Sequence, residues 1–469
     1  MIEFQDVLTG TAGTLYRRPG GMDTGQTPAS FLRVGIDSRT IEPGDLFVAV
    51  RGEVQDGHRF VLDAARHGAA GAIVACGRAA EFAAAAPALA LIEVAEPLTA
   101  LGALAAYWRR KFTIPVVGIT GSVGKSSTKE LAAGVLGTRL KVLKSPKSYN
   151  NEFGLPLSVL LIEPETEVAV LEMGTYGPGE LTALSRIAQQ TIAAVTNIGY
   201  THLERMGTRE VIAQAKGELV AALPLDGVAV LNGDDPRVRP MAELTQARTI
   251  FYGQGDACAL RATDVVDHGL AGLSFNLIWQ DETERLDHVP LRGAHSVYTA
   301  LATAGIALAV GLPFADVVEG LRREHASVRL VVVPGRNGAT IIDDSYNAAP
   351  ESALAALAIL AATPSRRRLA VLGDMLELGA YEEEGHRIVG RRVAELVDEL
   401  LTIGPRARII ADEARRSGLP ANAIASFDRK DEVVAALAPH LGEGDTVLIK
   451  GSRGLALEDV VTALREPVS

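Results

Sequence analysis

Between Val116 and Thr128 the chain reads Val-Val-Gly-Ile-Thr-Gly-Ser-Val-Gly-Lys-Ser-Ser-Thr, an order of residue types suited to holding an anion. An apolar, β-prone run ends at Ile119, a glycine-bearing turn follows, and Lys125, Ser126 and Ser127 lead into the helix-like Lys129-Glu-Leu-Ala-Ala. Backbone N–H groups of such a loop, at a helix N-terminus, surround phosphate oxygens, while the lysine adds positive charge and the Ser126 hydroxyl is placed to ligate Mg²⁺. The pattern G-x-x-x-x-G-K-[ST] would put a glycine at position 119, where Ile119 stands, so the loop is a compact variant built on Gly121, Ser122, Val123 and Gly124. Glycine, lysine and serine also close ordinary surface turns. The strand before and the helix after favour a nucleoside triphosphate.

A phosphate loop alone does not separate a motor, a kinase and a ligase, so the other polar clusters carry the distinction. Ligands of parallel α/β sheets gather at the carboxyl ends of strands. Glu172, Asn197 and Asn232 each end an apolar run and are followed closely by glycine. Glu172, in Leu171-Glu-Met-Gly174, and His202, in Thr196-Asn-Ile-Gly-Tyr-Thr-His-Leu203, offer donors suited to divalent cations. A lone histidine is nevertheless more often a structural hydrogen-bonder. Towards the C-terminus, Asp343-Asp-Ser-Tyr-Asn347, Gly373-Asp374 and Lys450-Gly-Ser-Arg453 close apolar runs in the same way.

These residues need a scaffold, and its rhythm is readable. The 469 residues suggest about three domains. The first, 1–94, mixes short strands (Val34–Arg39, Pro43–Val50, Gly71–Ala75) with a helix near Ala64, Ala65 and Ala69, and reads as a small α/β unit. Ala83–Ala90 is read as helix or loop, and Pro97 opens a helix through Leu101, Leu104 and Trp108. The second, 95–326, alternates strands at Val116–Ile119, Val168–Glu172, Ile192–Asn197 and Val228–Asn232 with helical patterns, which implies a mostly parallel sheet covered by helices. Shorter β-like runs from Phe251 to Leu291 suggest an attached antiparallel piece, followed by a long helix, Ser296–Val310. The third, 327–469, repeats the α/β rhythm with strands at Thr340–Asp343, Arg368–Leu372, Glu399–Ile403 and Thr446–Ile449.

Composition excludes several classes. Hydrophobic residues are 48% and charged residues 22%, a globular balance. The formal net charge of −11 argues against nucleic-acid binding. No apolar run approaches the roughly 20 residues that span a bilayer, so no membrane insertion is expected. Met1-Ile-Glu-Phe-Gln-Asp is acidic where an export signal would be basic, and two cysteines, Cys76 and Cys258, are too few for a disulfide framework. The expected compartment is the cytoplasm.

As an ordered set, these stretches resemble the Mur ligases of peptidoglycan synthesis over nearly the whole chain. The resemblance rests on Gly118-Ile-Thr-Gly-Ser-Val-Gly-Lys-Ser-Ser127, Asn150-Asn-Glu-Phe-Gly-Leu-Pro156, Glu172-Met-Gly, Thr196 to Glu204 and Ala215-Lys-Gly-Glu218. Within the family, Asp343 to Pro350, Gly373-Asp-Met-Leu-Glu-Leu-Gly379 and Lys450 to Arg453 look like the member that adds D-alanyl-D-alanine. The Asp-Asn-Pro-Arg-type motif expected of the member adding the third amino acid is not found in the sequence.

The resemblance implies three domains: a small N-terminal α/β domain binding the UDP part of the muramoyl peptide, a central P-loop ATPase domain with a parallel sheet, and a Rossmann-like C-terminal α/β domain. It implies ATP held by Gly121, Ser122, Val123, Gly124, Lys125, Ser126 and Ser127, with His295, Arg336 and Asp344, and Mg²⁺ held by Ser126, Glu172, His202 and Lys216. Lys125, Glu172, His202 and Lys216 are the expected catalytic group. Lys216 falls where relatives carry a carbamylated lysine; apart from the resemblance, it reads as a solvated helix lysine. Ser38, Arg39, Asp56 and His58 are expected at the UDP substrate, although Asp-Gly is also a common turn. Asn150, Asn151, Asn347, Lys450 and Arg453 are expected at the peptide or dipeptide. The implied partners are UDP-N-acetylmuramoyl-tripeptide and D-alanyl-D-alanine, and the chain is expected to be a monomer.

One departure stands out. Relatives usually carry His-Asn-x-x-Asn-Ala where this chain has His295-Ser-Val-Tyr-Thr-Ala300. A hydroxyl replaces an amide at both positions and offers fewer hydrogen bonds. Three other readings remain open: a ligase adding the third residue, a P-loop kinase or switch NTPase that makes no amide bond, and a non-catalytic muramoyl-peptide binder.

Overall fold

The computed structural model describes residues 1–17, 27–52, 55–323 and 331–466. The boundary expected near residue 326 lies outside the described residues. The chain forms two compact units, the first comprising residues 1–118, 139–175 and 179–192, the second 119–138, 176–178 and 193–469.

In the first unit, five short strands run in the order Thr14–Leu15, Ala90–Val94, Gly71–Ala75, Leu46–Val48, Val34–Gly35. All neighbours are parallel except the first pair. Their apolar residues are buried because helices cover the sheet, as parallel pairing requires. The alanine-rich stretch is a helix only over Ala79–Ala83, and Ala90 already starts a strand. Pro97–Arg109 begins with Pro97 at its first turn and with the Glu96 carboxylate accepting from Leu98 N and Thr99 N, a strong N-terminal cap. It packs against the helices Phe4–Thr11, Gly154–Val159 and Glu180–Ala188. At its end the buried Arg109 guanidinium donates to the carbonyls of Ala188, Phe112 and Ile114 and so fixes the chain entering Val116–Thr120.

The second unit holds two lobes. In the central lobe, Val228–Asn232, Arg248–Gly253 and Leu260–Asp267 pair in parallel, and Leu273–Trp279 and Glu282–Val289 continue as antiparallel ribbons, the attached piece expected from the sequence. The helix Val297–Val310 is apolar on nearly every side because it is buried against Lys125–Leu136 and the sheet. Gly305 allows that approach, since a Cβ there would lie 2.7 Å from Val230 Cγ1.

In the C-terminal lobe six strands run Val331–Pro334, Thr340–Asp344, Asp445–Lys450, Arg367–Gly373, Glu399–Ile403, Ile424–Phe427. Only the first pair is antiparallel. The carboxyl ends of three neighbouring parallel strands, Thr340–Asp344, Asp445–Lys450 and Arg367–Gly373, therefore bring Asp344, Lys450 and Gly373 to one edge.

Candidate active site

The phosphate loop is held by side chains from outside it. Asn197, two residues past the strand Ile192–Val195, which is shorter than the Ile192–Asn197 run expected, accepts from Val123 N through Oδ1 and donates to Val123 O through Nδ2, both at 2.9 Å. The Thr196 hydroxyl donates to the same carbonyl at 2.6 Å, and Gly199 N donates to Ser122 Oγ at 2.9 Å. Gly121, at φ 145°, fits only because it lacks a side chain: a Cβ would stand 1.8 Å from Thr196 Oγ1. Gly124 is left-handed at φ 89° and opens the helix Lys125–Leu136. The Lys125 ammonium folds back on Gly121 O at 2.6 Å and Ser122 O at 3.2 Å. A helix N-terminus, oriented N–H groups and a lysine make an anion site without further help.

A cavity of about 140 Å³ opens on this loop, lined by Ser122, Gly124 and Ser127 from the central lobe and by Asp344, Asn347 and Lys450 from the C-terminal lobe. His295 lines it as well, and burial lowers its imidazole pKa below the usual histidine value. Lys450, nearly fully buried, donates to Asp344 Oδ2 at 2.5 Å and to Asn347 O at 2.8 Å. An adjoining cavity of about 370 Å³ is lined by Thr128, Asn232, Tyr252, Tyr298, Thr299 and Glu351. The Ser296 hydroxyl is spent on Arg292 O at 2.7 Å, whereas Thr299 lines both spaces. Arg336 lies exposed in a short turn and does not line either cavity, and the exposed Arg453 is paired with Glu458 and lies over the Tyr346 ring.

Lys216 sits in the helix Arg209–Ala221, capped by Thr208, with 1% of its surface exposed. Burial, with the Lys125 charge adding to it, holds its amine well below the usual lysine range. It is not a solvated helix lysine. His202, left-handed at φ 63°, is bonded through Nδ1 to Glu377 Oε2 at 2.5 Å. Glu377 and Glu351 come from the C-terminal lobe, and no role was expected for either; Glu351 Oε1 accepts from Tyr200 N at 3.1 Å.

In the first unit, Glu172 ends Val168–Glu172 and its Oε1 accepts from Asn150 Nδ2 at 2.8 Å. Asn151 Oδ1 accepts from Phe153 N and Gly154 N at the entry to the helix Gly154–Val159. Ser38 is buried, and Arg39 is exposed and doubly paired with Asp37. His58 has both ring nitrogens engaged, Nδ1 with Asp56 at 2.7 Å and Nε2 with Ala75 N at 2.9 Å. Burial would raise the Asp56 carboxyl, but hydrogen bonds from His58 and Arg78 hold it down at about 2.

Three family descriptions match the chain: "Mur ligase family, catalytic domain" over 31–109, "Mur ligase middle domain" over 119–307, and "Mur ligase, glutamate ligase domain" over 328–453. The UDP-N-acetylmuramoyl-tripeptide–D-alanyl-D-alanine ligase of Synechocystis is 37% identical over 91% of this chain and 90% of its own. The chain belongs to the Mur ligase family. The ligase of the same name from Bacillus subtilis is 35% identical to this Mur ligase, over 92% of this chain and 93% of its own. Among solved structures, MurF from Acinetobacter baumannii is similar with a TM-score of 0.86 and 29% identity, covering 98% of both chains. MurF from Thermotoga maritima, in complex with ADP, matches at a TM-score of 0.76 and 28% identity over 95% of this chain and 98% of its own. Among the described residues, no helix is long and apolar enough to cross a membrane.

Proposed function

We propose that this chain uses ATP to join D-alanyl-D-alanine to UDP-N-acetylmuramoyl-tripeptide, yielding the pentapeptide, ADP and phosphate, in the cytoplasm. The observation that carries the proposal is the cavity in which the phosphate loop faces Asp344, Asn347 and Lys450. Kinship with ligases of that name over nine-tenths of the chain supports the substrates.

A carboxylate is a poor acyl donor. Transfer of the γ-phosphoryl group of ATP to the peptide carboxylate gives an acyl phosphate and ADP. The unprotonated amine of the dipeptide then attacks the acyl carbon, and loss of phosphate leaves the amide. Backbone N–H groups from Gly124 to Ser127 are assigned to the phosphates, with Gly121, Ser122 and Val123 shaping the loop because the Ser122 and Val123 N–H groups already donate to Asn197, and Lys125 leaves its internal carbonyls to offset charge on the transferred oxygens. His295, Asp344 and Arg336 are assigned to the nucleotide, and Asn150, Asn151, Asn347, Lys450 and Arg453 to the peptide or dipeptide. Ser38, Arg39, Asp56 and His58 are assigned to the UDP part, with His58 acting by holding the Asp56 turn rather than through a free ring nitrogen.

Ser126, Glu172, His202 and Lys216 are the residues assigned to Mg²⁺. Among the described residues, no cluster of three or more His, Cys, Asp or Glu side chains forms a metal cage. Mg²⁺ characteristically binds one or two carboxylates together with substrate phosphates, which suits this set. A buried, neutral Lys216 amine is the form that reacts with CO₂, and the resulting carbamate would add an anionic oxygen. When bound, Mg²⁺ would neutralise charge on the phosphoryl oxygens. The ranges 1–94, 95–326 and 327–469 are proposed as the UDP-substrate, ATP and amine-ligating domains.

Phosphate release with UDP-N-acetylmuramoyl-tripeptide tests the reading when D-alanyl-D-alanine, a diamino acid or no amine is added. Release that depends on the dipeptide is expected. Amine-independent release would make the chain an NTPase, and preference for the diamino acid would make it a ligase of the third residue.

A further inference from the structure

Glu377 lies in the Gly373–Gly379 segment that follows the strand Arg367–Gly373 of the C-terminal lobe. Its carboxylate reaches His202 Nδ1 at 2.5 Å, and its carbonyl accepts from Glu204 N at 3.2 Å. Both partners are left-handed, His202 at φ 63° and Glu377 at φ 64°. Non-glycine residues adopt this conformation uncommonly, and here two of them face each other across the contact. Gly379 makes the approach possible, because a Cβ there would stand 2.9 Å from Glu204 Cα. Tyr176 lies edge-on to the imidazole with centroids 4.6 Å apart, and Arg205 sits over Tyr176.

The imidazole is therefore held in rotation and in tautomer. Its Nδ1–H donates to a carboxylate, which leaves the Nε2 lone pair as the outward donor. A histidine that binds a metal is characteristically oriented in this way by a carboxylate on its second nitrogen. We propose that Glu377 is a positioning residue that presents His202 Nε2 to the divalent cation of the phosphate site. Because Glu377 and His202 belong to different lobes, the cation is held tightly only when the C-terminal lobe is seated on the Thr196–Glu204 loop. The inference rests on the assignment of His202 to the metal.

Mn²⁺ in place of Mg²⁺ allows a test without turnover, by paramagnetic titration of the full chain with ADP. Glu377→Ala should weaken Mn²⁺ binding about 10- to 100-fold while leaving metal-free ADP affinity unchanged. Glu377→Gln, whose amide carbonyl can still accept from Nδ1–H, should restore most of the affinity. Nitrogen-15 spectra of labelled histidine should show the Nδ1–H tautomer of His202 in the wild type and in Glu377→Gln, and a tautomer mixture in Glu377→Ala. Unchanged Mn²⁺ affinity in Glu377→Ala, with loss in His202→Ala, overturns the positioning role. Unchanged affinity in both overturns the metal assignment itself. Should Glu377→Ala fail to fold, absence of the Nδ1–H tautomer in Glu377→Gln overturns the proposal.

Discussion

A lysine amine in the protein interior costs stability unless it is neutral, and Lys216 is in that position. Lys216→Ala is expected to lose most ligase activity, with partial recovery when a short carboxylate such as formate is added at high concentration; undiminished turnover without rescue would rule out an anionic Lys216. The signal for its burial was present in the sequence. Ile212, Lys216 and Val220 recur at four-residue spacing and all three are buried on one helix face. Lysine is mostly exposed in folded proteins, which is why Lys216 reads as solvated apart from the resemblance. His58 is a different case, because its two partners, Asp56 and Ala75 N, depend on a turn and a strand meeting in space. Asp56 has a pH signature: its carboxyl lies at about 2 when folded against 3.8 ordinarily, so its stabilising contribution is present above pH 3.8 and is lost as pH falls towards 2. Asp56→Asn should therefore lower the urea midpoint at pH 7, with the gap to wild type closing as pH falls through that window.

At the scale of elements, the phosphate loop was legible because strand, glycines, lysine and helix are contiguous. What holds it was not, since Thr196 and Asn197 lie more than seventy residues away. The two loop glycines make separable predictions. Gly121→Ala would drive a methyl into Thr196 Oγ1 and should cost about 1–3 kcal/mol of stability as well as nucleotide binding. Gly124→Ala meets no protein atom within 4 Å and should cost only about 1–2 kcal/mol for its left-handed backbone, yet it should also lose affinity because the methyl occupies phosphate space. Urea midpoints and fluorescent-nucleotide titrations on both variants check this. Strands with strong apolar runs were read correctly: Val168–Glu172 and Val228–Asn232 have the bounds expected. Val142–Lys144 and Ile424–Phe427 were missed because they are short and only partly buried, so neither shows the apolar run of a covered strand.

At the scale of the molecule, the order of α/β stretches was readable, but the contacts joining the two lobes of the second unit were not. One group of them meets at Thr196–Glu204: Glu351 on Tyr200 N, Glu377 on His202 and Glu204, and the Tyr381 ring stacked on Tyr200 with centroids 3.8 Å apart; another joins Gly269–Ala271 to the helix Pro350–Ala362. Gly373-Asp-Met-Leu-Glu-Leu-Gly379 was conspicuous in the sequence, but its partner there was not. An aromatic pair contributes about 0.5–1.5 kcal/mol beyond its buried area. Tyr381→Ala should therefore leave ATP binding near normal and reduce turnover severalfold, measured as binding and phosphate release on one preparation. Arg209 also lies over the Tyr200 ring, which keeps that ring in place when its neighbour changes.

The chain has only two tryptophans, Trp108 in the first unit and Trp279 in an antiparallel ribbon, so its intrinsic fluorescence is sparse. An indole introduced as Tyr381→Trp would rest against the Tyr200 ring. Any hinge that parts the two rings would then register as a change in emission, giving an optical gauge of lobe separation on the timescale of mixing substrates.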